Sequence, residues 1–270
     1  MPDLVDSGKT GVNSRVVFIA WGITVPLAVA PDVNSAGAFS ILQCVVLAAL
    51  LFPALIPFLW QTARPLRMYA GMLALHTLLA VFFWNALPVW MSRQAWFADL
   101  SGYAASFIMQ SLKLVAAFVM MGVLAFLGYQ RREFFMPTMQ RGTWMIPSGV
   151  VAAVVVGLML IVPAEIIRHL LLALLLAAIN SFAEEILYRG ALLAPLLRHV
   201  SPNQAISMTA VLFGIAHYHG TPSGFPGMLL TFIAGWVFGL AMVETRSILL
   251  PWFLHFVPDA VIFITGALQK

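Results

Sequence analysis

Long, uninterrupted apolar runs restrict the fold of this 270-residue sequence more than any other feature. The run from Leu170 to Ile179, for example, contains only leucine, alanine and isoleucine. A transmembrane β-strand would instead alternate apolar and polar residues over about ten positions. In addition, only 9% of the residues are charged, whereas a soluble domain carries about a quarter. The sequence therefore predicts an all-α, polytopic transmembrane bundle of about eight helices.

Polar stretches between the apolar runs divide the chain into three regions. We expect a polar N-terminal tail over residues 1–14, transmembrane helices over 15–147, and a core over 148–270 that holds most of the unusual polar residues. The first run is short, but it lacks a persuasive small-residue cleavage site, so we expect a retained helix rather than a signal peptide. The apolar runs fall near Val16–Ala30, Ala36–Trp60, Met68–Met91, Tyr103–Tyr129, Ser148–Val162, Glu165–Val200, Gln204–Tyr218, Pro226–Val243 and Ile248–Leu268.

Basic residues lie at the ends of alternate apolar runs, and this asymmetry is typical of cytoplasmic loops. It predicts a multi-pass integral membrane protein whose N-terminus is cytoplasmic. Because the basic residues occur singly or in pairs, they indicate topology and not a nucleic-acid surface. The single cysteine, Cys44, excludes a disulfide within the chain. The residues that carry the pattern are Lys9, Arg15, Arg64, Arg67, Arg131, Arg132, Arg141, Arg189, Arg198 and Arg246.

Two adjacent glutamates, Glu184 and Glu185, interrupt the apolar sequence of the predicted core. They could end a helix at the membrane interface, but ionisable residues between apolar stretches more often face a bundle interior or a wet cavity. Glu185 and Arg189 are four residues apart, so on a helix they share a face and can pair. Glu184 points about 100° away and is expected to lack that partner. Glu184 is therefore the candidate general base.

Two histidines are candidates for the same chemistry. His217 ends an apolar run and has Phe213 one turn earlier, although a lone histidine there can also be a satisfied structural group. His255 lies inside an apolar run with Asp259 at position i+4, on the same helical face. A His–Asp couple in this setting favours a functional role over a structural one.

Counting residues from the turn at Ser201 brings these groups to a similar depth. Glu184 lies 17 residues before Ser201 and His217 lies 16 residues after it. If both arms are antiparallel helices, the two side chains lie roughly 24 Å from the turn. His255 lies roughly 14 Å inward from the Glu244–Arg246 turn, which returns to the same side. The sequence thus predicts one polar cluster inside the bundle.

Three motifs in this order resemble those of the CPBP intramembrane proteases, also called the CAAX-protease or Abi family. The motifs are Glu184-Glu185-x-x-x-Arg189, Phe213-x-x-x-His217 and His255-x-x-x-Asp259, and the resemblance covers about residues 165–266. It implies a glutamic-type protease without a metal or other cofactor, acting on a membrane-associated protein substrate. By resemblance, Glu184 and His217 activate a water molecule and Arg189 holds Glu185. His255 and the residue at position 259 stabilise the oxyanion.

Asp259 departs from the family pattern, which normally has asparagine at this position. An asparagine amide donates to an oxyanion, whereas an ionised aspartate repels it. Asp259 could be protonated, could accept the ring proton of His255 and so orient it, or could bind a metal with the histidines. We expect the second arrangement, because the i+4 couple requires no unusual protonation.

Two other functions compete with a glutamic-type protease. The first is a metal-dependent protease, since His217, His255, Glu184 and Asp259 supply nitrogen and oxygen donors suited to zinc. The sequence lacks the His-Glu-x-x-His helix that is typical of zinc proteases. The second is a non-enzymatic membrane immunity or transport protein that uses the polar cluster for binding or proton relay.

Overall fold

The computed structural model describes residues 64–130 and 164–268, and every regular element within these two ranges is helical. The prediction of an all-α fold is confirmed for this part of the chain. The predicted runs Val16–Ala30, Ala36–Trp60 and Ser148–Val162 lie outside the described residues. The count of about eight helices therefore stays a prediction.

Two long helical spans make up the first described range. Helix α1 (Arg64–Ala80) continues through a π-helical segment (Val81–Ala86) into α2 (Leu87–Ser92). The short helix α3 (Ala95–Ala98) leads to α4 (Gly102–Phe126).

A third long span carries the glutamate pair. It consists of α5 (Ala164–Glu185), a second π-helical segment (Ile186–Leu193) and α6 (Ala194–Leu196). The Ala194 N–H donates to the carbonyl of Arg189, which is the five-residue spacing of a π-helix. The next residue, Pro195, has no N–H to donate. The π-helical segment begins directly after Glu185. Such segments are frequent at functional sites.

Three helices complete the described chain: α7 (Pro202–Ala216), α8 (Gly224–Thr245) and α9 (Leu249–Leu268). The predicted turn before α7 is present as a capping box. The Ser201 hydroxyl accepts from the Gln204 N–H, and the Gln204 side chain accepts from the Ser201 N–H. Two of the unpaired N–H groups at the helix start are satisfied in this way.

Glycines allow α7 and α8 to approach closely. A Cβ atom on Gly235 would lie 3.0 Å from the Phe213 ring and 3.3 Å from Cα of Ala210. A Cβ atom on Gly239 would lie 3.0 Å from Ile206. Small residues at such positions are typical of helix contacts in membranes. On the other side of the unit, α9 packs along α5, and α4 packs against α5 and the second π-helical segment.

Five helical spans in the described ranges are long and apolar enough to cross a membrane: Gly71–Ser92, Gly102–Phe126, Ile166–Leu196, Gly224–Thr245 and Leu249–Gly266. Their outer faces carry large apolar side chains that are half exposed or more, such as Phe118 on α4, Leu230 on α8 and Val261 on α9. These faces suit contact with lipid rather than water. The chain is an integral membrane protein, while the cytoplasmic position of its N-terminus stays a prediction.

Candidate active site

One polar cluster lies between α4, α5, the second π-helical segment, the end of α7 and the middle of α9. The structure brings all six candidate residues into this cluster, although they come from four separate helical elements. They are Glu184, Glu185, Arg189, His217, His255 and Asp259.

Glu185 and Arg189 form the ion pair that their spacing predicts. Glu185 Oε1 lies 3.1 Å from Arg189 Nη1, and both side chains are almost fully buried. Arg189 Nη2 also donates to the carbonyl oxygen of Gly235 at 3.2 Å. Its guanidinium carbon lies 4.6 Å from the centre of the Phe213 ring. Arg189 therefore joins the glutamate helix to both members of the α7–α8 hairpin.

Glu185 also orients His255. Nδ1 of His255 lies 2.8 Å from Oε1 of Glu185, so the Nδ1–H donates to this carboxylate. The expected hydrogen bond from the His255 ring to Asp259 is not formed, because Nδ1 donates to Glu185 and Oδ1 of Asp259 lies 3.7 Å from the other nitrogen, Nε2. The Phe238 ring stacks on the imidazole with a centroid distance of 5.1 Å. These contacts leave Nε2 of His255 directed at Glu184 and Asp259.

His217 is held by the backbone of its own helix end. It caps α7, and its Nδ1 lies 2.7 Å from the carbonyl oxygen of Phe213. Because a carbonyl only accepts, this nitrogen carries a proton, and in the neutral ring Nε2 is an acceptor. Nε2 lies 3.5 Å from Oε2 of Glu184. The depth match between these two residues is thus present in the structure.

Glu184 has a cationic partner that the sequence interpretation missed. Glu184 does not pair with Arg189, but Lys113 Nζ on α4 lies 2.9 Å from its Oε1. Helical spacing does not reveal this contact, because it reveals only partners on the same helix. The second oxygen, Oε2, is buried and makes no hydrogen bond within the described ranges. It lies between Nε2 of His217 and Nε2 of His255, at 3.5 and 3.7 Å.

Asn180 is a second residue that the sequence interpretation missed. Its Nδ2 donates to Oδ2 of Asp259 at 2.8 Å, and its Oδ1 accepts from Lys113 at 2.7 Å. Asn180 lies one turn before Glu184 on the same helix, and Lys113 lies in the middle of an apolar run. Both residues could have been identified from the sequence in the same way as the glutamate pair, because each is a polar residue inside an apolar run.

The donor atoms do not match a metal site within the described residues, where no group of three or more His, Cys, Asp or Glu side chains is arranged to hold a metal ion. The nearest arrangement is Glu184 with the two histidines. Oε1 of Glu184 is bonded to Lys113, and Nδ1 of His255 is bonded to Glu185.

The comparisons with known proteins concern the second described range. Residues 166–261 match the family model for the type II CAAX prenyl endopeptidases described as Rce1-like. The matched segment contains all six candidate residues and Asn180, whereas Lys113 lies before it. No curated protein sequence and no solved structure matches the chain.

Proposed function

We propose that this protein is an intramembrane endopeptidase, because residues 166–261 match the family model of the Rce1-like CAAX prenyl endopeptidases. It hydrolyses a peptide bond of a membrane-associated protein, either in a CAAX-type C-terminal sequence or in another C-terminal or surface-protein segment. The observation that carries the proposal is the 3.5 Å separation of Glu184 Oε2 and His217 Nε2, two acceptors that face each other.

Glu184 and His217 activate the attacking water. Two acceptors that face each other repel unless a proton lies between them, and a water molecule supplies two donors. The water oxygen attacks the carbonyl carbon of the scissile bond while Glu184 or His217 takes one of its protons. The same group then returns this proton to the amine that leaves. Burial excludes bulk water and strengthens each of these interactions.

His255 stabilises the oxyanion that forms on the carbonyl oxygen. Its Nδ1–H is held by Glu185, and its Nε2 faces the carboxylates of Glu184 and Asp259. In the proposed step the ring carries a second proton, and its Nε2–H is the donor aimed into the site. Asp259 acts through His255 in this scheme, because an ionised carboxylate cannot itself donate to an oxyanion.

Glu184→Gln tests the proposal, since the amide keeps the shape of the side chain and loses the base. We expect cleavage of a fluorescence-quenched peptide with a farnesylated cysteine four residues from its C-terminus to fall by about 10²- to 10⁴-fold. In cells, membrane proteomes should show a precursor that accumulates in the variant. Glu244→Gln is the matched control, because Glu244 is exposed at the end of α8. Normal cleavage by folded Glu184→Gln protein would refute the mechanism.

Two further measurements separate the competing functions. Treatment of the purified full chain with a chelator should leave cleavage unchanged, and loss that zinc restores would favour the metal-dependent protease. A cellular phenotype that survives Glu184→Ala would favour a non-enzymatic immunity or transport role.

A further inference from the structure

Lys113 belongs to the polar cluster but lies outside residues 166–261, the family segment. It lies in the middle of α4, and its Nζ donates to Asn180 Oδ1 at 2.7 Å and to Glu184 Oε1 at 2.9 Å. About a quarter of its side chain is exposed, compared with 8% for Glu184. A lysine inside an apolar span is costly, and such residues are typically paired and functional.

The charge balance of the cluster depends on Lys113. Three carboxylates lie within it, those of Glu184, Glu185 and Asp259. Arg189 pairs with Glu185, and Lys113 is the second fixed cation. With the second proton on His255 and a neutral His217, the cluster carries a net charge of 0, and removal of Lys113 would make it −1. Additional negative charge directly opposes the oxyanion that hydrolysis must form.

Lys113 also fixes the orientation of two carboxylates at once. By binding Oε1 of Glu184, it leaves Oε2 as the oxygen that faces the histidines. By donating to Oδ1 of Asn180, it turns Nδ2 of that amide toward Asp259. Lys113 thus orients Glu184 directly and Asp259 through Asn180, and these are the two carboxylates that face Nε2 of His255.

We propose that Lys113 is a positioning residue for the hydrolysis, so that the working site comprises α4 as well as the family segment. This inference rests on the proposed function. Lys113 acts through Glu184, whose free oxygen it selects, and through Asn180 and Asp259. Its positive charge offsets that of Asp259, the carboxylate that stands where the resembled motif has a neutral amide. Lys113 and Asp259 are therefore expected to depend on each other.

A second substitution that restores the net charge of the cluster tests this dependence. Lys113→Met should lower kcat on the farnesylated peptide by about 10- to 100-fold, the cost of a misplaced reacting group. KM should change by about twofold or less, since ground-state binding is retained. Adding Asp259→Asn to Lys113→Met restores the wild-type net charge of 0. We expect the double variant to recover at least about tenfold in kcat, because the added negative charge is gone.

The matched control is Gln110→Met, on the same helix one turn earlier. Gln110 is partly buried, and its Oε1 makes no hydrogen bond within the described ranges, so the same loss of polarity should leave kcat unchanged. Thermal unfolding of each variant gives a readout that does not depend on a substrate. Lys113→Met and Glu184→Gln should not be additive in the unfolding temperature, because each removes one member of the same contact.

The outcomes separate this inference from the proposed function. If Glu184→Gln abolishes cleavage but Lys113→Met cleaves normally, the role of Lys113 is overturned and the protease assignment stands. A loss in Lys113→Met that Asp259→Asn does not relieve would also overturn it. If the wild-type protein does not cleave the peptide, precursor accumulation in cells provides the same comparison between variants. Additive changes in unfolding temperature for Lys113→Met and Glu184→Gln would refute the contact between these two residues.

Discussion

His255 Nδ1 lies 2.8 Å from Oε1 of Glu185, and this contact links the Glu185–Arg189 ion pair to the histidine that faces Glu184. The same carboxylate oxygen lies 3.1 Å from Nη1 of Arg189. One buried carboxylate therefore bridges a fixed guanidinium and an imidazole. The orientation of Nε2 of His255 therefore depends on Glu185.

Glu185→Gln should reduce both stability and cleavage. The amide retains an oxygen that can accept from His255, but it leaves Arg189 as a buried charge without a counterion. Removing one partner of a buried ion pair costs about 3–5 kcal/mol. Chemical or thermal unfolding of the purified protein measures this loss, and kcat of the folded fraction reports the orientation of His255. An unfolding free energy equal to that of the exposed control Glu244→Gln would contradict this role.

Asp259→Asn and Asp259→Ala should have different effects on cleavage. Asparagine still offers an oxygen to Nδ2 of Asn180 and removes a negative charge from the site, so we expect substantial activity. Alanine leaves that buried amide without its partner, which costs about 1–3 kcal/mol, and opens space beside His255. We expect Asp259→Ala to lose most of its kcat. Equal losses in both variants would contradict a role for Asp259 through hydrogen bonding.

The spacing of residues along one helix predicted the ion pair within that helix. The Glu185–Arg189 pair follows from local geometry, because side chains four residues apart meet on a helix. The equal depth of Glu184 and His217 follows from counting residues on two antiparallel arms. The ion pair needs only one helix, and the depth match needs only two helical arms of nearly equal length.

Contacts between distant helices could not be predicted in the same way. The sequence does not reveal the rotation of α4 that brings Lys113 to Glu184, nor the packing of α9 that places His255 nearer to Glu185 than to Asp259. Lys113 could still have been identified as a candidate, because it is an ionisable residue in the middle of an apolar run. Its partner required the structure.

Gly235→Ala should disturb the site from the opposite side of the α7–α8 hairpin. The added methyl group would lie 3.0 Å from the Phe213 ring and 3.3 Å from backbone of Ala210, so the helices must separate or Phe213 must move. Overpacking of this kind costs about 1–3 kcal/mol. Because the Phe213 carbonyl holds His217 and the Gly235 carbonyl holds Arg189, kcat should fall together with the unfolding temperature.

Gly122→Ala is the control for this substitution. Gly122 lies within α4, and a Cβ atom there would meet nothing within 4 Å. Alanine at an unobstructed helical position stabilises by about 0.4–1 kcal/mol. If the two alanine variants unfold at the same temperature and cleave equally, the close approach of α7 and α8 does not contribute to the site.

Arg189→Lys should not be a conservative change. The guanidinium reaches Glu185 through Nη1 and the Gly235 carbonyl through Nη2, while its carbon lies 4.6 Å from the centre of the Phe213 ring. A lysine ammonium keeps the charge but lacks the planar fork that makes two directed contacts in this way. We expect an unfolding free energy lower by about 1–3 kcal/mol from the lost bond to the buried carbonyl, measured against Arg93→Lys, an exposed position. Since the charge is preserved, a matching fall in kcat would show that cleavage requires the geometry of the Arg189 side chain. Wild-type stability and cleavage would instead show that its charge alone is sufficient.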